Sequence, residues 1–209
     1  YYINFEGADS CLYLFVNDEF VGYSTVSHSS AEFDITPKLH VGANEIKVVV
    51  AKWCSASYLE DQDKLRMSGL FREVYILHRP ENHLRDYKVT TDIVGVDGVI
   101  DVVLDTIATV QLYDADDTLL DTQKGTNLRF TVLNADLWTA ETPNLYKIII
   151  ACNGEYIRDY VGVRTVCNHG NVLCVNGKPT KFKGVNRHSM TVNGYVETVD
   201  DMVRDILLM

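Results

Sequence analysis

Short runs of alternating apolar and polar residues make up most of the chain before residue 165. One of them, LYLFVNDEFVGYS, predicts two strands around a tight turn at Asn17-Asp18, because both residue types tolerate left-handed backbone. The next, AEFDITPKLHVGANEIKVVVAKW, predicts a hairpin-like unit with its bend at Gly42-Ala43-Asn44. Strands of this length and spacing indicate a jelly roll or another antiparallel sandwich over residues 1–80.

The pattern restarts after the predicted linker Arg79-Pro80-Glu81-Asn82 and fills residues 81–165. Its segments are LRDYKVTTDI, GVIDVVLDTI, ATVQLYDAD, LLDTQKG, LRFTVLN, LYKIIIA and EYIRDYVGV. Many short strands in so few residues are typical of an immunoglobulin-like sandwich. The Cys-Trp-Cys arrangement of antibody domains is missing from the sequence.

The spacing of apolar residues changes within residues 166–209, from the alternation of strands to the period of a helix. VLCVNGKPTKFKGVN predicts a hairpin with Asn176-Gly177 at its turn, followed by the strand TKFKGVN. In TVDDMVRDILLM, Thr198 and Asp201 have the spacing of a helix capping box, and apolar residues recur at helical spacing after them. A strand followed by an amphipathic helix predicts the first β/α unit of an α/β domain. The unit cannot bury its apolar stripe alone, so we expect the chain to be a truncated piece of a mainly β, multidomain protein.

Composition and charge narrow the range of partners. With 19 basic and 29 acidic residues, the 209-residue chain has a formal net charge of −10 and lacks a long basic run, so no nucleic-acid partner is expected. No apolar stretch approaches the roughly 20 residues of a membrane span. Its five cysteines form no C-x-x-C pair, which predicts free thiols in a reducing cytoplasm, although the spacing leaves a disulfide between Cys167 and Cys174 open.

The most charged stretch is SYLEDQDKLRMSGLFREV. Asp61 and Asp63 lie two positions apart and share one side of an extended backbone, where carboxylates can accept hydrogen bonds from sugar hydroxyls or bind a hard cation. The alternative is a solvated acidic turn. Three apolar residues that follow, Met67, Leu70 and Phe71, are expected to anchor this segment against the rest of the protein.

A second candidate site is GVNRH, at the end of the predicted barrel-type strand. The carboxyl ends of barrel strands carry the active sites of β/α barrels, so His188 and Asn186 are candidate substrate-binding residues. The alternative is a histidine whose ring is hydrogen-bonded by nearby backbone, with Asn186 and Arg187 orienting its loop.

These segments resemble consecutive landmarks of the large bacterial β-galactosidases of glycoside hydrolase family 2, over essentially the whole chain. The resemblance rests on SYLEDQDKLRMSGLFREVYILHRP, LWTAETPNLY, VNGKPTKFKGVNRH and TVDDMVRDILLM, with FEGADS, GYS and EFDIT adding to it. The sequence EDQD-x-x-RMSG-x-F-R is its most specific part, and points to galactosidases rather than to glucuronidases or mannosidases of the same architecture.

The resemblance implies a jelly roll, an immunoglobulin-like domain and a catalytic (β/α)8 barrel, in the order of the three regions above. It also implies retaining hydrolysis of terminal β-D-galactosides such as lactose by two glutamates roughly 5 Å apart. Those glutamates and most ligands of the family's magnesium belong to later barrel strands, so no catalytic residue and no complete metal site are expected here. A homo-oligomer is implied for the full-length enzyme.

Two positions match family residues that contact the substrate. Asp63 matches the aspartate that reaches the galactosyl 6-hydroxyl and a sodium ion, and His188 matches the histidine that contacts the galactosyl ring. The chain departs from the family after GVNRH, where Ser189-Met190-Thr191-Val192 replaces the usual acidic residue and His-Pro step. Two other hypotheses stay open: a carbohydrate-binding module without catalysis, and sandwich domains with a purely structural or interaction role.

Overall fold

The structure is a computed structural model that describes residues 1–59 and 66–209. The described residues form two compact units. The first unit comprises Tyr1–Arg79 and Val185–Met209, and the second comprises Pro80–Gly184. Within the described ranges, no helix combines the length and the apolar character that crossing a bilayer requires.

The first unit is built mainly from short antiparallel strands. They are β1 (Tyr2–Phe5), β2 (Ala8–Asp9), β3 (Cys11–Val16), β4 (Glu19–Ser24), β5 (Ala31–Asp34), β6 (Ile46–Ala51), β7 (Gly69–Leu70) and β8 (Val74–Leu77). One sheet has the order β5-β1-β8, another has the order β4-β3-β6, and β2 pairs with β7. A short 3-10 turn at Thr36–Lys38 and the one-turn helix α1 (Ala56–Leu59) lie between strands.

Both three-stranded sheets of the first unit contribute to one apolar core. In β3, Leu12, Leu14 and Val16 are buried while Tyr13 between them is exposed, which is the period-two pattern of a strand with one face on a core. The core residues are Ile3, Phe5, Ala8, Leu12, Leu14, Val16 and Ile35. This arrangement is a β-sandwich.

The turn predicted at Asn17-Asp18 is confirmed. Both residues have positive φ, 52° and 62°, and they join β3 to β4 directly, with Val16 paired to Glu19. The hairpin-like unit expected at Gly42-Ala43-Asn44 is not formed as a pair, because β5 pairs with β1 whereas β6 pairs with β3. The segment between them therefore crosses from one sheet to the other.

The second unit contains β9 (Tyr87–Val94), β10 (Asp97–Tyr113), β11 (Leu119–Val132), β12 (Tyr146–Cys152) and β13 (Glu155–Val161). The long strand β10 pairs with β9 through its first half, with β12 through its second half, and with β11 along both. Segments predicted as separate strands are therefore single strands, since a register shift between Val103 and Ala108 bends β10 without ending it.

Alternation in these strands produces the larger core. Tyr146, Ile148, Ile150 and Cys152 of β12 are all buried, while the residues between them are partly exposed. They pack in one cluster with residues of β10 and β11: Ile100, Val102, Leu104, Ala108, Val110, Leu112, Leu128, Phe130 and Val132. The second unit is thus held by a continuous hydrophobic core.

The region after residue 165 begins with the strands β14 (Val166–His169), β15 (Val172–Val175) and β16 (Lys178–Pro179), paired in that order. Asn176 and Gly177 have φ of 50° and 72° at the turn between β15 and β16, as predicted. The strand expected at TKFKGVN is not formed, and residues 180–190 have no regular secondary structure. A barrel strand needs hydrogen bonds from parallel neighbours, and no described strand pairs with this segment.

The predicted helix is α2 (Val199–Leu208). Thr198 is its N-cap, and the capping box with Asp201 is complete, because the Thr198 hydroxyl accepts from the Asp201 N–H and the Asp201 carboxylate accepts from the Thr198 N–H. These hydrogen bonds from Thr198 lower the pKa of Asp201 below its usual value. The apolar stripe is largely exposed, with Ile206 at 67% and Leu207 at 81%.

Candidate functional site

Arg187, between the candidates Asn186 and His188, is held by two carboxylates. Its Nε donates to Asp205 Oδ2 of α2 at 2.8 Å, and its Nη2 forms an ion pair with Glu197. The Glu197 side chain is only 5% exposed, so its carboxylate depends on this guanidinium for a partner. Arg187 therefore ties the irregular segment that carries both candidates to α2.

The side chains of Asn186 and His188 take no part in this ion-pair network. Both residues are exposed, and neither side chain has a hydrogen-bond partner within the described ranges. The structure therefore does not show the alternative given for His188, a ring hydrogen-bonded by nearby backbone. Both side chains are available to a ligand, and their role in substrate binding stays a prediction.

Asp63, the other predicted substrate and sodium ligand, lies outside the described residues, as does Asp61. The structure does describe what flanks them. Arg66 donates to the backbone carbonyl of Ser57, and the Met67 N–H donates to Asp9 Oδ2 at 2.7 Å. The residues that directly follow this segment are thus tied to buried groups of the first unit.

Asp9 is a candidate that the sequence reasoning missed. It is 1% exposed, and its second oxygen, Oδ1, has no hydrogen-bond partner in the described part of the chain. A buried carboxylate oxygen normally has a partner, so this atom can accept a hydrogen bond from a ligand or from further protein. The available signal was an aspartate between the small residues Gly7-Ala8 and Ser10, but such an acid can also lie in an exposed turn.

The anchoring predicted for Met67 and Phe71 is confirmed, whereas Leu70 is 44% exposed. Met67 packs against Gly194, where a Cβ would lie 2.6 Å from the methionine sulfur. A Cβ on Gly7 would lie 2.8 Å from the Phe71 ring. The end of the EDQD segment and the segment after GVNRH therefore meet in the first unit.

An aromatic cluster continues this contact. The His28 ring lies 5.3 Å from the Phe71 ring and 4.7 Å from the Tyr195 ring, measured between centroids. Tyr195 is buried, and its hydroxyl has no hydrogen-bond partner among the residues that the structure describes. Tyr195 also lines a groove of about 380 Å³ together with Glu6, Phe71, Arg72, Glu73, Val196 and Glu197.

The described residues do not form a metal site by themselves. Residues 1–59 and 66–209 contain no cluster of three or more histidine, cysteine, aspartate or glutamate side chains placed to hold an ion. The predicted sodium ligand Asp63 is not among them. No chemical step is therefore assigned to a metal here.

Three family models match the chain. "Glycosyl hydrolases family 2, sugar binding domain" matches residues 1–80, "Glycosyl hydrolases family 2" matches 94–164, and "Glycosyl hydrolases family 2, TIM barrel domain" matches 166–209. The models follow one another in a single order along nearly all of the sequence.

Proteins with similar sequences are named beta-galactosidase. One from Actinobacillus pleuropneumoniae is 42% identical and one from Staphylococcus xylosus is 39% identical, in each case over the whole of this chain. The chain spans 22% of the length of each of these curated relatives.

Similar solved structures include beta-glucuronidases. The Lactobacillus rhamnosus enzyme matches with a TM-score of 0.81 and 25% identity, over 100% of this chain and 40% of that one. The Ruminococcus gnavus enzyme matches with a TM-score of 0.83 and 22% identity, over 99% of this chain and 40% of that one. The fold is thus shared between proteins with different named activities.

Proposed function

This chain belongs to family 2 of the glycosyl hydrolases, and from that membership we propose that it works as part of a retaining β-galactosidase. The substrate class is terminal, non-reducing β-D-galactose in β-galactosides such as lactose. The observation that carries the proposal is the higher sequence identity to proteins named beta-galactosidase than to the beta-glucuronidases of the same fold. Shared fold alone does not identify the sugar.

In this proposal the chain contributes sugar binding rather than proton transfer. Retaining hydrolysis uses one carboxyl group as acid/base and a second as nucleophile, roughly 5 Å apart. The family places these groups on later barrel strands. The residues of this chain that we assign to the sugar are Asp63, Asn186, His188 and Asp9.

Their chemistry suits a galactosyl ring. The carboxylates of Asp63 and Asp9 accept hydrogen bonds from sugar hydroxyls, and a hydrogen bond that involves a charged group is stronger than a neutral one. Asn186 and His188 offer both donor and acceptor atoms and are exposed. The ion pairs of Arg187 with Glu197 and Asp205 support the proposal, because they fix the backbone between Asn186 and His188.

We extend the proposal to the bound ions, the cellular location and the oligomeric state. Sodium is assigned to Asp63 and magnesium to residues of later barrel strands, in line with the family. A cytoplasmic location and a homo-oligomeric full-length enzyme complete it. The five free cysteines support a reducing compartment.

The proposal is tested by placing this chain in the corresponding segment of the Actinobacillus pleuropneumoniae beta-galactosidase and measuring hydrolysis of 4-nitrophenyl glycosides. We expect cleavage of the β-D-galactoside and not of the β-D-glucuronide. His188→Ala and Asp63→Ala should each lower kcat/KM by roughly tenfold or more, since a hydrogen bond to a charged group contributes about 1.5–3 kcal/mol.

Matched controls are His169→Ala and Asp116→Ala, which remove an exposed histidine and an exposed aspartate of the second unit. They should leave kcat/KM unchanged. A preference for the glucuronide would overturn the proposed substrate. A hybrid that circular dichroism and sizing show to be folded, but that is inactive, would instead favour a binding or structural role without catalysis.

A further inference from the structure

The chain after His188 closes into a short turn at residues 191–194. The Thr191 N–H donates to the Gly194 carbonyl at 2.9 Å, and the Gly194 N–H donates to the Thr191 carbonyl at 3.1 Å. The Thr191 hydroxyl accepts from the Asn193 N–H at 3.1 Å and donates to the Val196 carbonyl at 3.0 Å. The turn therefore keeps its shape through hydrogen bonds among neighbouring residues.

Ion pairs hold the chain on the other side of His188. Arg187 pairs with Glu197 and with Asp205, and both carboxylates come after the 191–194 turn in the sequence. His188 thus lies on a short span whose two ends are fixed to the residues that follow it. These contacts are internal to the region after residue 185, so they do not determine where His188 lies on the β-sandwich of the first unit.

Met67 connects this region to the β-sandwich. Its N–H donates to Asp9 Oδ2 at 2.7 Å, and Gly69 pairs with Asp9 where β7 joins β2. Its side chain contacts Gly194, because a Cβ built on that glycine would lie 2.6 Å from the sulfur and 3.2 Å from the terminal methyl carbon. One residue therefore contacts both the buried carboxylate of Asp9 and the turn that follows His188.

This contact requires a glycine at position 194. The φ of Gly194, 78°, lies in the left-handed region, and a side chain there would occupy the space of the Met67 thioether. Because protein interiors are close-packed, removing the thioether leaves a gap into which the turn can move, whereas enlarging the glycine displaces the turn. The thioether therefore sets the distance between the turn and β2, the strand that contains Asp9.

Tyr195 gives the same region a second contact with the sandwich. It is buried, and its ring lies 4.7 Å from the His28 ring, measured between centroids. Removing the Met67 side chain should therefore shift the turn without detaching the region. A substitution at Met67 thus reports on the position of His188 rather than on folding.

We propose that Met67 is a positioning residue for sugar binding. Its N–H holds the Asp9 carboxylate and its thioether holds the turn after His188, so that the side chains of Asp9 and His188 keep a fixed separation. This role rests on the proposed function, in which Asp9 and His188 contact the sugar and Met67 does not. Position matters to such contacts, since a displacement of about 1 Å can lower a rate by roughly 10²-fold.

Kinetics of the hybrid with the Actinobacillus pleuropneumoniae beta-galactosidase test this role. Met67→Ala retains the backbone N–H but removes the thioether, so we expect kcat/KM for 4-nitrophenyl β-D-galactoside to fall by roughly tenfold. Because Met67 acts through His188, adding Met67→Ala to His188→Ala should lower kcat/KM further by less than about twofold. A residue that only stabilised the fold would change kcat/KM by the same factor in both backgrounds, and that result would overturn the proposal.

A second measurement does not depend on catalysis. In the folded 209-residue chain, Met67→Ala should lower the NMR order parameter of the His188 backbone amide toward the roughly 0.6 of flexible backbone. An unchanged order parameter would overturn the positioning role. A folded but inactive hybrid, together with a lowered order parameter, would support the connection made by Met67 and count against the proposed function, so the two failures are distinguishable.

Gly194→Ala tests the other side of the contact. Its Cβ would meet the Met67 sulfur, so kcat/KM should fall as it does in Met67→Ala. The matched control is Gly177→Ala, because Gly177 has a φ of 72° and no atom beyond its chain neighbours within 4 Å of a built Cβ. It introduces similar backbone strain without the clash and should leave kcat/KM unchanged.

Circular dichroism establishes that each variant is folded. Equal losses of kcat/KM in Gly194→Ala and Gly177→Ala would overturn the proposal, because backbone strain alone would then explain both.

Discussion

The two units differ in how they treat buried polar groups. In the second unit the hydroxyl of buried Tyr146 accepts from the Asp136 N–H at 2.9 Å, and that of half-buried Thr91 donates to the Arg164 carbonyl at 2.7 Å. In the first unit three buried side chains have an atom without a partner in the described part of the chain. They are Asn4 Nδ2, Asp9 Oδ1 and the Tyr195 hydroxyl.

This difference distinguishes a scaffold, whose buried polar atoms are hydrogen-bonded internally, from a receptive unit, in which some buried polar atoms have no described partner. A buried polar atom without a partner costs about 1–3 kcal/mol, so a protein retains such atoms where a ligand or further protein offsets the cost. The second unit is saturated, in that its buried polar groups are hydrogen-bonded within the unit, and its hydrophobic core stabilises it. The first unit contains the candidates Asn186, His188 and Asp9, and it also contains the buried polar atoms without a described partner.

The largest effect is expected from the core of the second unit. Phe130 on β11 is fully buried among aliphatic residues. Phe130→Ala should lower the free energy of unfolding of that unit by about 3–5 kcal/mol, because it removes a large apolar group and leaves a cavity. Urea denaturation measures the change, with Leu133→Ala as control because Leu133 is 73% exposed. Equal losses in the two variants would contradict the scaffold interpretation.

Features of the fold that depend only on residues close together in the sequence could be predicted. Asn17-Asp18 and Asn176-Gly177 have residue types that tolerate positive φ, so both turns could be placed from sequence. Thr198 and Asp201 satisfy each other across a single helical turn, which also needs no tertiary context.

Non-local signals were less informative. The continuity of β10 depends on hydrogen bonds with three other strands, which a pattern read along one segment does not contain. TKFKGVN has strand-forming residues but no paired neighbour among the described strands. Asp9 resembles a turn residue in sequence, and only the fold buries it beneath Met67.

An intermediate effect is expected from Arg187. Arg187→Met retains most of the aliphatic stem but leaves the buried Glu197 carboxylate without its cation, so the first unit should lose stability, by less than Phe130→Ala costs the second. The denaturation midpoint of the first unit measures this loss. Adding Glu197→Gln should restore part of it, because the unpaired charge is then gone.

The control for this variant is Lys183→Met, which removes an exposed cation from the same irregular segment. It should leave the midpoint unchanged. If Arg187→Met behaved like this control, the segment with Asn186 and His188 would not be fixed by its ion pairs, and the binding role assigned to those two residues would lose its structural support.

The smallest effect is expected from removing one tyrosine hydroxyl from each unit. This pair of variants compares the two units most directly, because the same group is deleted in both. Tyr146→Phe deletes a hydroxyl that accepts from the Asp136 N–H, and should lower stability by about 1 kcal/mol. Tyr195→Phe deletes a buried hydroxyl without a described partner, and should leave stability unchanged or raise it. The two denaturation curves are compared at one pH in the same chain. Equal losses would mean that the Tyr195 hydroxyl is as well satisfied as that of Tyr146, and the contrast between a saturated unit and a receptive one would fail at this residue.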